Sequence, residues 1–302
     1  MMKTAIIGMG ALGLMYGSYI LEAYGPDDFV AVMDDERYEK HKNDIYSMNG
    51  RILDINLVRA SEAETADIVI VGVKGPALEE AIEAMGNLVG EDTVVFSILN
   101  GVSSEEKLGA AFGKKKVVPC TVIGMDAMRE GTTGRFTQLG IVQIGKTCEY
   151  GTEEGVKKIY DYLNGAGITC EIKDDIMYFL WNKLMINVGI NQTCMVYETN
   201  YGGALSVPEW KDMLTRAMKE TVAVARAMGI GLTEENIDNA IGIIGTLDPE
   251  GYPSMRQDAI ARRKSEVELF AGTIVRLGNK LGVPVPVNEF YLKRLDEIES
   301  EY

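Results

Sequence analysis

The chain has 302 residues, 46% of them apolar and 25% charged, which is the make-up of an ordinary globular protein long enough for two domains. Its formal charge of −15 argues against nucleic acid or an anionic membrane surface as partner, although local cations can still hold a small anion. The opening segment lacks the basic start and small-residue cleavage site of a secretory signal, and no apolar run is long enough to span a membrane. Cys120, Cys148, Cys170 and Cys194 are widely spaced without a C-x-x-C, and the one histidine, His41, has no nearby partner for a metal. That pattern points to reduced thiols in a cytoplasmic protein and to no metal site.

Thr4–Ile7 is a short apolar strand running into a G-x-G-x-x-G turn at Gly8, Gly10 and Gly13, and Ala11–Leu21 continues as a helix. Strand, glycines and helix in that register are what a dinucleotide-binding βαβ unit requires. Gly8 permits the turn, Gly10 lets a pyrophosphate approach the backbone, and Gly13 lets helix and strand pack closely. The helix start offers free N–H groups to the anion.

Further along, Phe29–Met33, Arg51–Leu57, Asp67–Val73, Thr93–Ile98 and Lys116–Ile123 read as strands. Phe136–Ile144 alternates like an antiparallel edge strand, and Ile168–Ile172 is the last strand candidate. Helices are expected at Gly75–Met85, opened by Pro76, at Ser103–Phe112 and at Glu153–Leu163. This alternation predicts an open, mainly parallel sheet. From about Asp174 the pattern turns helical, with segments at Ile176–Met195, Pro208–Met228, Glu234–Ile244, Met255–Arg262, Glu266–Leu281 and Val287–Glu299. The fold class expected is therefore α/β: an N-terminal Rossmann-type dinucleotide-binding domain over residues 1–173, then an all-α domain over residues 174–302.

Lys183, Asn187 and Asn191 follow one another at i, i+4 and i+8 on the first long helix, so they share a face. The other faces carry Phe179, Leu180, Trp181, Leu184, Met185, Ile186, Val188 and Ile190, as in a buried helix. Burying a lysine and two asparagines without partners would cost a few kcal/mol each, so partners or a ligand are expected, unless the stripe faces solvent.

Six segments in order carry a family resemblance: Gly8-Met-Gly-Ala-Leu-Gly13; Val73-Lys74; Asn100-Gly101; Trp181-Asn-Lys-Leu-Met-Ile-Asn187; Ser254-Met-Arg-Gln-Asp258 with Glu266; and Leu281-Gly-Val-Pro-Val-Pro-Val-Asn288. Over nearly its whole length the chain resembles the ketopantoate reductase (2-dehydropantoate 2-reductase) family. The resemblance implies reduction of 2-dehydropantoate to pantoate by a nicotinamide cofactor, a step toward pantothenate and coenzyme A. Lys183 would be the general acid that protonates the carbonyl oxygen, with Glu266 positioning it or binding the substrate hydroxyl. Desolvation of such a lysine lowers its pKa toward the range useful for proton transfer, and its charge stabilises a developing alkoxide.

By the same resemblance Asn100, Asn187, Asn191, Asn200 and Ser254 would bind the substrate, although Ser254 with Gln257 also reads as a capping box. Gly8, Met9, Gly10, Ala11, Leu12, Gly13, Asp34, Lys74, Asn100, Ala127 and Glu266 would contact the cofactor. Relatives are often dimers through the helical domain, so a homodimer is a partner the resemblance allows.

The chain departs from the family pattern in three places. The stretch from Asn191 to Asn200 is one residue short, Ala271-Gly272 replaces Asn-Gly, and Asp34-Asp35 stands where many relatives carry an arginine for the 2′-phosphate of NADP. A carboxylate there accepts both ribose hydroxyls, worth about 1.5–3 kcal/mol, and repels a 2′-phosphate. NAD(H) is thus the expected cofactor, with NADP(H) the second candidate because Arg37 lies close by. The competing readings are a reductase of another branched 2-oxo acid, oxidation of a 3-hydroxy acid on a similar architecture, and a non-catalytic dinucleotide sensor.

Overall fold

Strands that are apolar on both faces need a helix layer on each side. The computed structural model describes residues 2–302. The chain divides into two compact units, the first running to Asn100 and resuming over Ser104–Ile176, the second made of Gly101–Ser103 and Met177–Tyr302.

In the first unit the elements are β1 (Thr4–Ile7), α1 (Ala11–Tyr24), β2 (Phe29–Met33), α2 (Asp35–His41), β3 (Tyr46–Met48), β4 (Arg51–Leu53), β5 (Asn56–Arg59), β6 (Ala66–Val71), α3 (Leu78–Ala84), β7 (Val89–Ser97), α4 (Ser104–Phe112), β8 (Cys120–Met125), β9 (Met128–Glu130), β10 (Thr133–Arg135), β11 (Leu139–Ile144), α5 (Glu153–Gly165) and β12 (Cys170–Ile172). Five strands form a parallel sheet in the order β5-β2-β1-β6-β7. Side-chain alternation sends Ile6, Ile68, Ile70 and Phe96 into a core shared with α1 and α5. Ala5, Ile7, Val69 and Val71 enter a second core, with Leu78 and Ala81 of α3 and Leu108 of α4. The Rossmann-type expectation holds.

Several expected elements differ in detail. Arg51–Leu57 is two strands in two sheets: β4 pairs antiparallel with β3, whereas β5 pairs parallel with β2. Its mixed polarity records that change of partner across Asp54-Ile55. The strand expected over Phe136–Ile144 is not an edge, because β11 lies between β8 and β12 in a three-stranded sheet. Lys116–Ile123 begins as a 3-10 turn, Lys114–Lys116, and becomes a strand only at Cys120. The short elements α2, β3, β9 and β10 had no counterpart in the sequence reading.

The second unit comprises nearly all of α6 (Ile176–Val196), then α7 (Tyr201–Ser206), α8 (Pro208–Ala227), α9 (Glu234–Ile244), α10 (Ser254–Ile260), α11 (Ala271–Leu281) and α12 (Pro286–Glu299). The residues preceding α10, α11 and α12 are Pro253, Phe270 and Val285, none of which caps a helix through its side chain. The free N–H groups at these helix starts donate instead to side chains of other helices. Asn191 Oδ1 accepts from Met255 N at 3.1 Å, and Gln192 Oε1 accepts from Ala271 N at 3.0 Å. Glu220 accepts from Val287 N and Asn288 N at 2.8 and 2.9 Å. The helix expected over Glu266–Leu281 is consequently broken: Val267–Leu269 is a 3-10 turn, and the buried Phe270 leaves helical geometry at φ −103°, ψ −91° before α11 starts. Ser254 is likewise no capping-box residue, since the helix cap falls on Pro253.

One buried acid in the first unit ties stability to pH. Glu105, in the first turn of α4, is 6% exposed, and burial pushes its carboxyl up to about 7 against the opposing pull of its own N–H, the Ser104 hydroxyl and the Cys120 N–H. A carboxyl raised on folding contributes stability that is complete below the unfolded value near 4.5 and lost as pH rises through about 7. Relative to Glu105→Gln, the wild-type unfolding free energy is expected to fall by about 3 kcal/mol between pH 4.5 and 8. Denaturant titrations of both proteins across that range measure it, and a constant difference would sink the assignment.

Candidate active site

The chain leaves β1 toward β2 and β5 on one side of the sheet, then returns to β6 and β7 on the other. The carboxyl ends of β1 and β6 therefore frame a topological switch point, where open α/β sheets take their ligands. Gly72 N donates to Ile7 O at 2.7 Å there, so the two strand ends touch.

The three glycines of the turn answer to different constraints. Gly8 has φ +103°, and a Cβ on it would lie 2.5 Å from the Gly72 carbonyl carbon. A Cβ on Gly13 would lie 1.9 Å from Gly8 O. Both positions are closed to side chains by the protein itself. Gly10 is different: its backbone is ordinary extended chain at φ −68°, ψ −170°, and the nearest atom to a Cβ, Gly72 O, is 3.6 Å away. Protein packing leaves room for a methyl group at Gly10, so the glycine keeps a cradle open for something else. A pyrophosphate at the start of α1 fits that cradle.

A cavity of about 220 Å³ adjoins the turn, lined by Gly8, Met9, Gly10, Asp34, Arg37 and Arg129. Asp34 follows β2 and is half-buried. Its Oδ1 accepts from Arg37 N at 2.8 Å as the cap of α2, and its Oδ2 lies 3.4 Å from Arg37 Nε. Arg37 Nη2 in turn donates to Glu80 Oε2 on α3 at 2.9 Å. Arg129, on β9, donates through Nη1 to Met9 O and sits over the Tyr46 ring. Sequence reasoning missed Glu80 and Arg129. The first turn of a helix that follows a central strand was a usable signal for Glu80; Arg129 stands in a three-residue strand with no readable periodicity.

Met9 is buried; Ala11, Leu12 and Gly13 form the first turn of α1. Lys74 is exposed at the start of the 3-10 turn Gly75–Ala77, Asn100 is half-buried three residues beyond β7, and Ala127 lies half-buried between β8 and β9. His41 pairs with Asp44 at 2.7 Å.

In the second unit, Lys183 and Asn187 are half-buried on α6, while Asn191 is 5% exposed. Asn191 Oδ1 accepts from Ser254 Oγ and Met255 N, both at 3.1 Å, and its Nδ2 donates to Asn187 Oδ1 at 3.2 Å. A backbone N–H can only donate, so Met255 fixes which way the Asn191 amide faces. That in turn fixes Asn187, whose carbonyl oxygen accepts from Asn191, and Lys183 lies one helical turn before it on α6. The pair offers hydrogen-bond donors, suited to an anionic or carbonyl oxygen. Asn200 caps α7 through Gly203 N at 2.8 Å and donates to Glu250 at 3.2 Å. Glu266 is half-buried just before the turn that precedes α11.

A Rossmann-type unit followed by an all-helical one is a two-domain arrangement of nicotinamide-dependent oxidoreductases. The family described as "Ketopantoate reductase PanE/ApbA" matches residues 4–148, and "Ketopantoate reductase PanE/ApbA C terminal" matches residues 175–299. The chain belongs to the ketopantoate reductase family. It is 28% identical over 301 residues to the 2-dehydropantoate 2-reductase of Aquifex aeolicus, covering 97% of this chain and 95% of that one. Among solved structures, D-mandelate dehydrogenase with NADH superposes with a TM-score of 0.88 at 24% identity, over 99% of both chains. A dimeric ketopantoate reductase from Staphylococcus aureus gives 0.82 at 20% identity, again over 99% of both.

The space at Gly10 yields a direct test. Gly10→Ala is expected to leave thermal stability equal or slightly higher, since an alanine at a compatible backbone position stiffens the unfolded chain. Dinucleotide binding should weaken by about tenfold or more because the methyl group fills the pyrophosphate cradle. Differential scanning fluorimetry with and without NADH separates the two effects; unchanged affinity would leave the cradle without a role.

Proposed function

We propose that the protein reduces 2-dehydropantoate to pantoate with NADH, in a cytoplasmic route toward pantothenate and coenzyme A. The carrying observation is the α6 face that bears Lys183 and, one turn on, Asn187, whose carbonyl oxygen accepts from an Asn191 held by Met255 N. A 2-oxo acid presents acceptor oxygens only at its head group, which is the complement of that face. Membership of the ketopantoate reductase family supports the reaction class.

A bound reduced nicotinamide supplies the hydride. Lys183 carries at Nζ the proton that goes to the carbonyl oxygen, and its charge favours the alkoxide that precedes the alcohol. Asn187 orients the head group, while Asn191 and Ser254 act by holding Asn187. Glu266 orients the Lys183 amine or the substrate hydroxyl. Gly8 to Gly13, with Lys74, Asn100 and Ala127, serve the cofactor, and Asp34 accepts from the adenosine ribose. A homodimer is the assembly we propose, in line with the dimeric Staphylococcus aureus relative.

A second reading, reduction of another branched 2-oxo acid, is favoured by the similarity to D-mandelate dehydrogenase. The residues named above recognise the head group and leave the tail unspecified. Turnover of 2-dehydropantoate against shorter, longer and aromatic 2-oxo acids separates the two readings.

Lys183→Ala is expected to lower kcat by about a thousandfold with thermal stability retained, the scale of a lost general acid. A variant that turns over near the wild-type rate would remove Lys183 from the mechanism. For the cofactor, NADH is expected to outperform NADPH at equal concentration, and Asp34→Arg should move the kcat/KM ratio toward NADPH by about tenfold or more. A wild-type protein faster with NADPH contradicts the Asp34 assignment.

A further inference from the structure

Beside the cavity at the glycine turn lies a wider groove of about 800 Å³, and the two share Asp34, Arg37, His41, Glu80 and Ala84. Asp35, Glu36 and Glu83 add carboxylates to the groove wall, against Lys40 as the further cation. Arg37 is therefore the cation common to both spaces, and the side chain to which a phosphate on the adenosine ribose would turn. It is not idle. Asp34 lies against its Nε at 3.4 Å, and Glu80 accepts from its Nη2 at 2.9 Å.

The two carboxylates reach Arg37 from different elements. Asp34 precedes Arg37 by one helical turn, so its position follows from the local fold of α2. Glu80 comes from α3, 43 residues away in sequence, and it contributes no cap or core contact that would explain its orientation. Its neighbour Glu79 points elsewhere, to Lys107 at 2.6 Å. Both partners are well exposed, at 49% for Arg37 and 66% for Glu80, so the pair adds little to stability. Its consequence lies in what it does to the guanidinium, whose Nη face is taken by a carboxylate.

We propose that Glu80 is a specificity-determining residue that holds Arg37 away from a 2′-phosphate, so that cofactor choice rests on an acidic clamp from α3 as well as on Asp34. This rests on the dinucleotide reading of the first unit. An incoming 2′-phosphate has to displace Glu80 from Arg37 before it can reach the guanidinium. A 2′-hydroxyl does not.

The test measures dissociation constants of NADH and NADPH for the full chain by fluorescence titration, for wild type, Glu80→Gln, Arg37→Met and the double variant, at low and at physiological salt. Glu80→Gln should lower the ratio Kd(NADPH)/Kd(NADH) about five- to tenfold at low salt, less at high salt, and the gain should vanish in the Arg37→Met background. An unchanged ratio in Glu80→Gln overturns the clamp. So does a gain that survives Arg37→Met, because the carboxylate would then act by direct repulsion. Wild type binding neither dinucleotide overturns the dinucleotide reading and the clamp with it, whereas wild type binding NADH with an unmoved ratio overturns the clamp alone.

Discussion

One close approach sets the geometry of the first unit: the Gly8 carbonyl oxygen lies where Gly13 would carry its Cβ, 1.9 Å away. Helix α1 can pack down on the end of β1 only because that atom is missing. The parallel strand β6 closes in from the other side, so that a side chain at Gly8 would meet Gly72. With both contacts in place, the N–H groups at the start of α1 stand at the sheet's switch point, which is the electrostatic feature an anion needs. Gly10 is the complement of this constraint, since its lack of a side chain answers to no atom of the protein. A glycine that packing demands and a glycine that packing leaves free sit two residues apart, and only the second reports on a ligand.

The second unit turns on a different economy of polar groups. Its helices α10, α11 and α12 begin at residues unable to cap them, and their N–H groups are satisfied by Asn191, Gln192 and Glu220 from neighbouring helices. An unsatisfied buried N–H would cost roughly 1–3 kcal/mol, so these side chains are needed for the architecture whatever the protein binds. The long helix α6 is thus divided along its length. Toward its C-terminal end the polar residues Asn191 and Gln192 are consumed by the fold; Asn187 and Lys183 lie one and two turns earlier, half-buried. The burial of Asn191 requires no ligand to account for it, and its hydrogen bonds set the direction of the Asn187 amide.

Periodicity made the long elements legible. The strand β1, the whole of β2 and the helix α9 stand where alternation and capping signals placed them, because each is bounded by glycine, proline or a capping residue next to a clear apolar pattern. Arg51–Leu57 reads as one strand because its mixed polarity, the one local trace of the change of sheet, does not say which partner each half takes. The break at Phe270 was equally hidden, since the partner that satisfies the N–H at the new helix start, Gln192, is 79 residues away in sequence. The candidate site divides in the same manner. Gly8, Gly10, Gly13, Asp34 and Lys183 were readable from motif and spacing, whereas Arg129 and the Arg37–Glu80 contact depend on segments that meet only in three dimensions.

A chain carrying −15 is an unpromising host for an anionic cofactor and an anionic acid, yet the total charge is a poor guide to either site. At physiological ionic strength, exposed charges beyond about 8 Å are largely screened, and what remains is set by the nearest few groups. At the glycine turn those are the N–H groups of α1 and the Arg129 guanidinium; on α6 they are Lys183 and the Asn187 amide. Around Arg37 the balance reverses, with Asp34 and Glu80 both on the guanidinium. The surplus of acid is therefore felt locally, around Arg37, where an additional dianionic phosphate would have to lodge among carboxylates. Local fields of opposite sign thus stand within one small unit, cationic at the glycine turn and acidic around Arg37.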